Sequence, residues 1–360
     1  MNKTKILFVM PTLKKDGAEV QISNLISYFE KFTIDIFTFD LYKEGNSILN
    51  DLVDVEIYTK DGSTNLYALK KIIDSKDYDI VHSHLPKADF YVGLLKVFSK
   101  KFKHLITVHA QYGDRAGESK SKYLIFNVFW KLILNNSDGV IAISKKIENW
   151  LTNERGIKKN KISTIHYGIK IKERNERTKS NNVIGTAARF LPWKGWSQVI
   201  ETAAILRDLN LDFKLILAGS DDEDYKKKLE NMVKNNNLDS YVYFENHYEN
   251  IDNFFAKIDL FLFLTESEGF GLIVLEAIEN NIPVICSNIE PLSEFVDNTY
   301  HTLVDRENTK EIANFLKNIM EDNELSKQIQ LKQKHKIKKD FSLSLSVEKY
   351  ENYYINLLNN

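Results

Sequence analysis

Cysteine is nearly missing from this chain: Cys286 stands alone among 360 residues. One thiol can form neither an intrachain disulfide nor a cysteine zinc cluster, so the expected setting is the reducing cytoplasm. Long apolar runs are missing as well, and none approaches the ~18–20 residues that span a bilayer. The opening residues, Met-Asn-Lys-Thr-Lys-Ile-Leu-Phe-Val-Met-Pro, carry no signal-peptide cleavage pattern and read as a first β-strand. Neither G-x-G-x-x-G nor G-x-x-x-x-G-K-S/T occurs. The first absence removes most support for a nicotinamide dinucleotide site, and the second removes the usual nucleotide triphosphatase reading. Neither sign of charge is in excess, with 49 Lys+Arg against 50 Asp+Glu and a net of −1.

That balance hides an asymmetry. Residues 1–170 hold 26 Lys+Arg against 19 Asp+Glu, and the remainder holds 23 against 31. Two solvated surfaces that differ by chance would give this, and so would an N-terminal half that approaches an anionic membrane or acceptor. The basic half lacks an interleaved aromatic and basic stripe, which argues against nucleic acid.

What is present is the composition of a folded globular protein, 43% hydrophobic and 12% aromatic. Short apolar runs at 5–10, 34–39, 53–58, 79–83, 104–108, 139–143 and 162–166 predict strands. Segments 18–30, 65–75, 87–99, 121–135 and 145–154 have helical spacing between them. A second alternation follows, with strands at 183–187, 213–218, 241–245, 259–264, 283–286 and 301–304. Its helices fall near 196–208, 223–235, 249–257, 271–280 and 309–320. Each alternation predicts an α/β, doubly wound parallel sheet, and two of them imply a cleft between domains. The expected division is 1–169, a polar linker at 170–182, 183–340, and a C-terminal amphipathic helix in 341–360 that packs back toward the first domain.

The chemistry gathers in the second half. Thr265 to Ala277 read Thr-Glu-Ser-Glu-Gly-Phe-Gly-Leu-Ile-Val-Leu-Glu-Ala, a strand–glycine loop–helix junction with Glu268 and Glu276 either side of seven residues. The helix start offers unpaired N–H groups and positive potential, which suit a phosphate. Helical side chains lean toward the N-terminus, so Glu276 reaches back over the mouth that Glu268 borders. Carboxylates beside a phosphate site are acceptors for sugar and ribose hydroxyls, and the combination suggests a nucleotide-sugar pocket. A second post-strand loop, Gly185 to Gly195, carries Arg189 and Lys194. Two solvated cations would be the plain reading of that loop alone. Beside the carboxylate junction, they can neutralise a diphosphate without a metal, Arg as a fork and Lys as a point charge.

Other groups are weaker. His82 and His84 could mimic a metal pair, but no third ligand follows nearby. Asp221-Asp222-Glu223-Asp224 could mimic an Asp-x-Asp metal site, but it reads better as the acidic start of a helix. Gly17 lets backbone approach a ligand closely at the first helix. Tyr112 and Arg115, in the polar loop 110–120, are acceptor-side candidates.

Taken in order, these motifs resemble the retaining glycosyltransferases of family four, which have the GT-B fold of two Rossmann-like domains facing across a cleft. The resemblance runs nearly full length. It includes Gly17-Ala18-Glu19, Asp79 to His84, Thr107-Val108-His109, Ile141 to Ser144, His166 to Ile169, the Arg189 to Gly195 loop and the Glu268–Glu276 stretch. It implies that Arg189 and Lys194 bind the donor diphosphate and that Glu276 accepts from the ribose. Glu268 would contact the transferred sugar, helped by the N–H groups of Phe270, Gly271 and Leu272. His109 would sit near the reaction centre, and Gly17 in the loop that closes on the phosphates. It implies no cofactor and no metal, a UDP-sugar in preference to other donors, and a glycan or lipid-linked acceptor in surface polysaccharide synthesis. The enzyme would be cytoplasmic, or peripheral on the inner membrane face. Two departures stand out: Asp16 where many members have glycine, and Tyr167 where many have asparagine. A sugar-nucleotide epimerase on the same scaffold and a degenerate transferase serving as a binding subunit are the alternatives.

Overall fold

Parallel strands buried on both faces need near-continuous apolar runs, and this chain supplies two sets of them. A computed structural model describes residues 3–41, 47–60, 62–112, 120–174, 182–220 and 222–359, apart from the side chains of 120–125. The first set comprises β1 (Thr4–Met10), α1 (Gly17–Ile26), β2 (Phe32–Thr38), β3 (Glu56–Tyr58), α2 (Asn65–Lys76) and β4 (Ile80–His84). It continues with α3 (Pro86–Phe98), β5 (Lys103–Val108), α4 (Lys120–Asn136), β6 (Gly139–Ala142), α5 (Lys145–Asn153) and β7 (Ile162–Thr164).

The second set comprises β8 (Val183–Ala187), α6 (Trp196–Asp208), β9 (Lys214–Ala218), α7 (Glu223–Asn235), β10 (Val242–Glu245), α8 (Ile251–Phe255) and β11 (Leu260–Phe263). Then come α9 (Leu272–Glu279), β12 (Val284–Ser287), α10 (Leu292–Phe295), β13 (Leu303–Val304), α11 (Thr309–Glu321) and α12 (Asn323–Asp340). The last helix, α13 (Leu343–Asn359), joins the first set: one compact unit is Met1–Gly168 with Leu343–Asn360, and the other is Ile169–Ser342.

Unit 1 holds a parallel sheet in the order β3-β2-β1-β4-β5-β6-β7. One of its faces packs on α1 and α13, with Phe8, Ile22, Tyr350 and Tyr354 in that core. The opposite face packs on α2 and α3 through Val9, Leu69, Val81 and Val92. Unit 2 holds a parallel sheet in the order β10-β9-β8-β11-β12-β13, with Trp196, Leu217 and Leu262 in its core. In each sheet the order reverses beside the first strand, between β1 and β4 and between β8 and β11. Crevices at such reversals, beyond the strands' carboxyl ends, are where doubly wound folds bind ligands.

Both predicted doubly wound sheets are present. Two helices escape the sequence reading: α10, four residues long and too short to show a period, and α12, which buries only Ile329, Gln333 and Ile337, a stripe one residue wide with an amide at its centre. The predicted strand at 53–58 begins only at Glu56, since Asp54 takes a left-handed φ of 59°. The acidic run reads as a helix start: Asp222 Oδ1 accepts from the Tyr225 N–H at 2.9 Å, while Asp221 lies outside the described residues. Of the stretch 170–182, residues 175–181 also lie outside. Lys172 and Arg174 are bonded to Glu279 at 2.9 and 3.0 Å, within unit 2.

Candidate functional site

The reversal in unit 2 joins the two loops that carry the predicted donor residues. After β8, Arg189 is exposed, and its carbonyl accepts from the Trp196 indole at 3.0 Å. Pro192–Lys194 form one 3₁₀ turn, and Gly195 opens α6 with a φ of +75°. After β11, the chain passes Thr265, Glu266 and Glu268 and enters α9 through Gly271, at φ +90°. The loops are fastened together. The Trp193 carbonyl accepts from the Glu266 N–H at 2.7 Å and from the Thr265 hydroxyl at 3.3 Å. Trp193 itself remains 43% exposed.

Across this seam Lys194 Nζ meets Glu268 Oε1 at 2.5 Å, with both side chains only about one-eighth exposed (13% and 12%). Glu268 lies against Gly271: a Cβ there would sit 3.7 Å from Glu268 Cγ. The acid therefore lies over the start of α9, where the first N–H groups have no intrahelical acceptor. Phe270 is buried beneath, 5.3 Å from the Phe295 ring. A cation, a carboxylate and the first N–H groups of α9 thus share one small region. Such a region can hold an anion and a hydroxyl-bearing group side by side.

Glu276 lies one turn into α9 and is partly open to solvent. Among the described residues its carboxyl has no hydrogen-bond partner. Loss of water, reinforced by Asp252 and opposed by Lys172, lifts it to about 7. Its folded pKa is raised, so its proton stabilises the fold at low pH. That contribution fades as pH climbs from the ordinary glutamate range through about 7.

In unit 1 the predicted residues fall at the carboxyl ends of β1 and β5. Gly17 is the exposed first residue of α1, preceded by Asp16, whose side chain makes no cap. Glu19, two residues on, is 3% exposed, and burial raises its carboxyl to about 7. His109 follows β5, and both of its ring nitrogens are engaged. Nδ1 meets the Tyr167 hydroxyl, and Nε2 meets His84 Nδ1 at 3.0 Å. Burial pushes its imidazole down to about 3, so it is neutral at pH 7, and a single proton lies between the two rings.

The departure at Tyr167 thus lands on His109. His84 was visible in the sequence only as a neighbour of His82; its Nε2 is buried with no partner among the described residues. His82 is occupied elsewhere, by Tyr354 at 2.9 Å and Thr107 at 2.7 Å. Tyr112 is partly buried, with its hydroxyl accepting from the His109 N–H at 3.2 Å and its ring edge-on to Trp130. Arg115 lies outside the described residues. Among those residues, no group of three or more His, Cys, Asp or Glu could hold a metal ion.

Two Rossmann-like parallel α/β units are the architecture of the GT-B fold. Residues 169–336 match the family described as "Glycosyl transferases group 1", and residues 16–173 match "Glycosyltransferase Family 4". The chain is 30% identical to the O-antigen biosynthesis glycosyltransferase WclY of Escherichia coli over 374 aligned positions, covering 98% of each. It therefore belongs to the GT-B glycosyltransferases, related to their group 1 and family 4 members, which move a sugar from a nucleotide-sugar donor to an acceptor. A glycosyltransferase from Rickettsia africae has the same fold, with a TM-score of 0.82 at 21% identity and 100% of both chains covered. So does Anabaena HepE, solved with UDP and glucose, with a TM-score of 0.79 at 20% identity, covering 98% of this chain and 100% of that one.

Proposed function

We propose that this chain is a retaining, metal-independent hexosyltransferase that moves a sugar from a UDP-sugar to a glycan or lipid-linked acceptor in surface polysaccharide synthesis. The carrying observation is the 2.5 Å Lys194–Glu268 pair lying over the start of α9, at the reversal of the second sheet. HepE, solved with UDP-glucose, supports the uridine donor, and WclY supports the surface-glycan setting.

In this reading Arg189 and Lys194 stabilise the charge that builds on the departing diphosphate. Glu268 and the α9 N–H groups hold the sugar, and Glu276 accepts from the ribose. The anomeric C–O bond to the diphosphate breaks and one to the acceptor oxygen forms on the same face. The acceptor's proton passes to the departing phosphate oxygen. Hydrolases that retain through a covalent intermediate set two carboxylates about 5 Å apart around the bond. Glu268 is paired with a lysine, which suits a hydroxyl acceptor better than a nucleophile.

Thermal shift with UDP-, GDP- and ADP-sugars tests the donor assignment, since a ligand that binds the folded form raises its melting temperature. The UDP-sugar should give the largest rise, and Arg189→Ala should abolish it. An Arg189→Ala protein that responds like wild type would remove the diphosphate role. Donor consumption that needs no added acceptor would point to the epimerase instead.

The raised Glu276 carboxyl gives a pH signature. A carboxylate can accept from two ribose hydroxyls at once, whereas the acid form cannot. UDP-glucose, whose diphosphate keeps its charge near neutrality, should bind more weakly as pH falls through about 7. The limit is about tenfold per pH unit. Glu276→Gln should bind weakly with no such slope; a variant with the wild-type slope would place the titration elsewhere.

A further inference from the structure

Fourteen large apolar side chains are exposed among the described residues, and seven of them lie on α2, α3 and α4 of unit 1. Tyr67 is on α2. Leu94, Val97 and Phe98 form an i, i+3, i+4 set on α3, and Val128, Phe129 and Leu132 lie on α4. The exposures are large, 83% for Phe98 and 60% for Leu132. The two helices are close neighbours: a Cβ on Gly93 would strike Ile133 Cγ2 at 2.6 Å, and Phe90 meets Phe126 at 5.7 Å. Their outward residues therefore form one surface. α4 also buries Trp130 and Leu134, so it is apolar on its inner and outer sides alike. A helix of that kind needs an apolar neighbour on both sides.

Charge identifies the neighbour. The only acidic residue of α3 is Asp89, fully buried against Ser83 and Trp130, and α4 has none. Lys87, Lys100, Lys101 and Lys131 are exposed around the apolar stripe. A symmetric pairing of two such faces would set lysine against lysine. A bilayer with anionic headgroups answers both features, taking the apolar side chains into its acyl boundary and the lysines at its phosphates. A groove of about 670 Å³ between α2 and α3, lined in part by Tyr67, Phe98 and Phe102, continues the same surface.

We infer that the outer face of α3 and α4, with Tyr67 at its edge, docks unit 1 peripherally on an anionic membrane. The patch is contiguous, apolar at the centre and basic at the rim, and it uses none of the residues assigned to the donor. It also gives a place to the positive excess of residues 1–170.

The test is co-sedimentation of the full chain with vesicles of phosphatidylcholine alone, or mixed equally with phosphatidylglycerol. Wild type should sediment with the mixed vesicles, leave them as salt rises, and ignore the neutral ones. Phe98→Asp with Leu132→Asp should abolish sedimentation. Lys100→Glu with Lys101→Glu should weaken it on the order of thirtyfold or more. An unchanged thermal shift with UDP-glucose would show that both variants remain folded.

Three outcomes overturn the inference: no vesicle binding by wild type, equal binding to neutral vesicles, or double variants that sediment like wild type. A concentration-dependent dimer that the aspartates abolish, without vesicle binding, would assign the face to a second copy. Sedimentation needs no nucleotide sugar, so its failure leaves the transfer reading standing.

Discussion

Lys194→Ala is expected to lower turnover by about a hundredfold to a thousandfold, the usual loss when one preorganised donor is taken from developing charge. The ammonium is about seven-eighths buried, 2.5 Å from Glu268, so its position does not depend on a mobile surface chain. In a largely dry site its field reaches a diphosphate with little screening. Two effects of the substitution add: the leaving group loses a cation, and Glu268 loses the group that aims it. Lys194→Arg should recover only part of the activity, because a planar fork does not fit where a point charge stood. Glu268→Gln offers the complementary measurement. It keeps the cation, so it should lower kcat while leaving UDP affinity within about threefold of wild type, since uniform binding is separable from transition-state effects. Donor consumption and titration with UDP on the same three proteins decide it. A Lys194→Ala enzyme turning over within about threefold of wild type would end the diphosphate assignment.

The largest stability effect should come from one methyl group. Gly195 sits at φ +75°, and an added Cβ would lie 1.8 Å from the Leu264 carbonyl oxygen. No rotamer relieves that clash, because a Cβ is fixed by its own backbone and its partner is a backbone oxygen. The left-handed φ costs about 1 kcal/mol or more by itself, and separating the two loops should bring the total to about 3 kcal/mol or more. Gly62→Ala is the matched control, since it has φ +86° but nothing within 4 Å of its Cβ. It should lose only the conformational part. Urea unfolding of both variants separates steric clash from backbone strain. If Gly195→Ala were no less stable than Gly62→Ala, the seam between the loops would be looser than the hydrogen bonds at Trp193 imply.

Both sheets were legible because strands covered on two sides must be apolar along their length, as β1 and β11 are. Helix α12 was not, since Lys and Gln fill it and its packing rests on Gln333, whose amide bonds both polar groups of Val284. At the donor loops, residue types and spacing pointed to chemistry, but the contact between Lys194 and Glu268 spans 74 positions and no local pattern encodes it. The hydrogen-bonded set of Tyr167, His109 and His84 was hidden for the same reason. Three strand ends bring those side chains together. A tyrosine in place of asparagine showed only that something differed there.

Unit 1 is built from two segments that flank unit 2 in the sequence, and this orders its birth. Residues 169–342 are contiguous, so that unit can close as soon as it clears the ribosome. The N-terminal sheet, made first, must wait for Tyr350, Tyr354 and Leu357 to seal one face and to give His82 the second of its two hydroxyl partners. The half that is synthesised earliest is thus the last to be finished, and a fragment cut after Gly168 would lack part of its own interior.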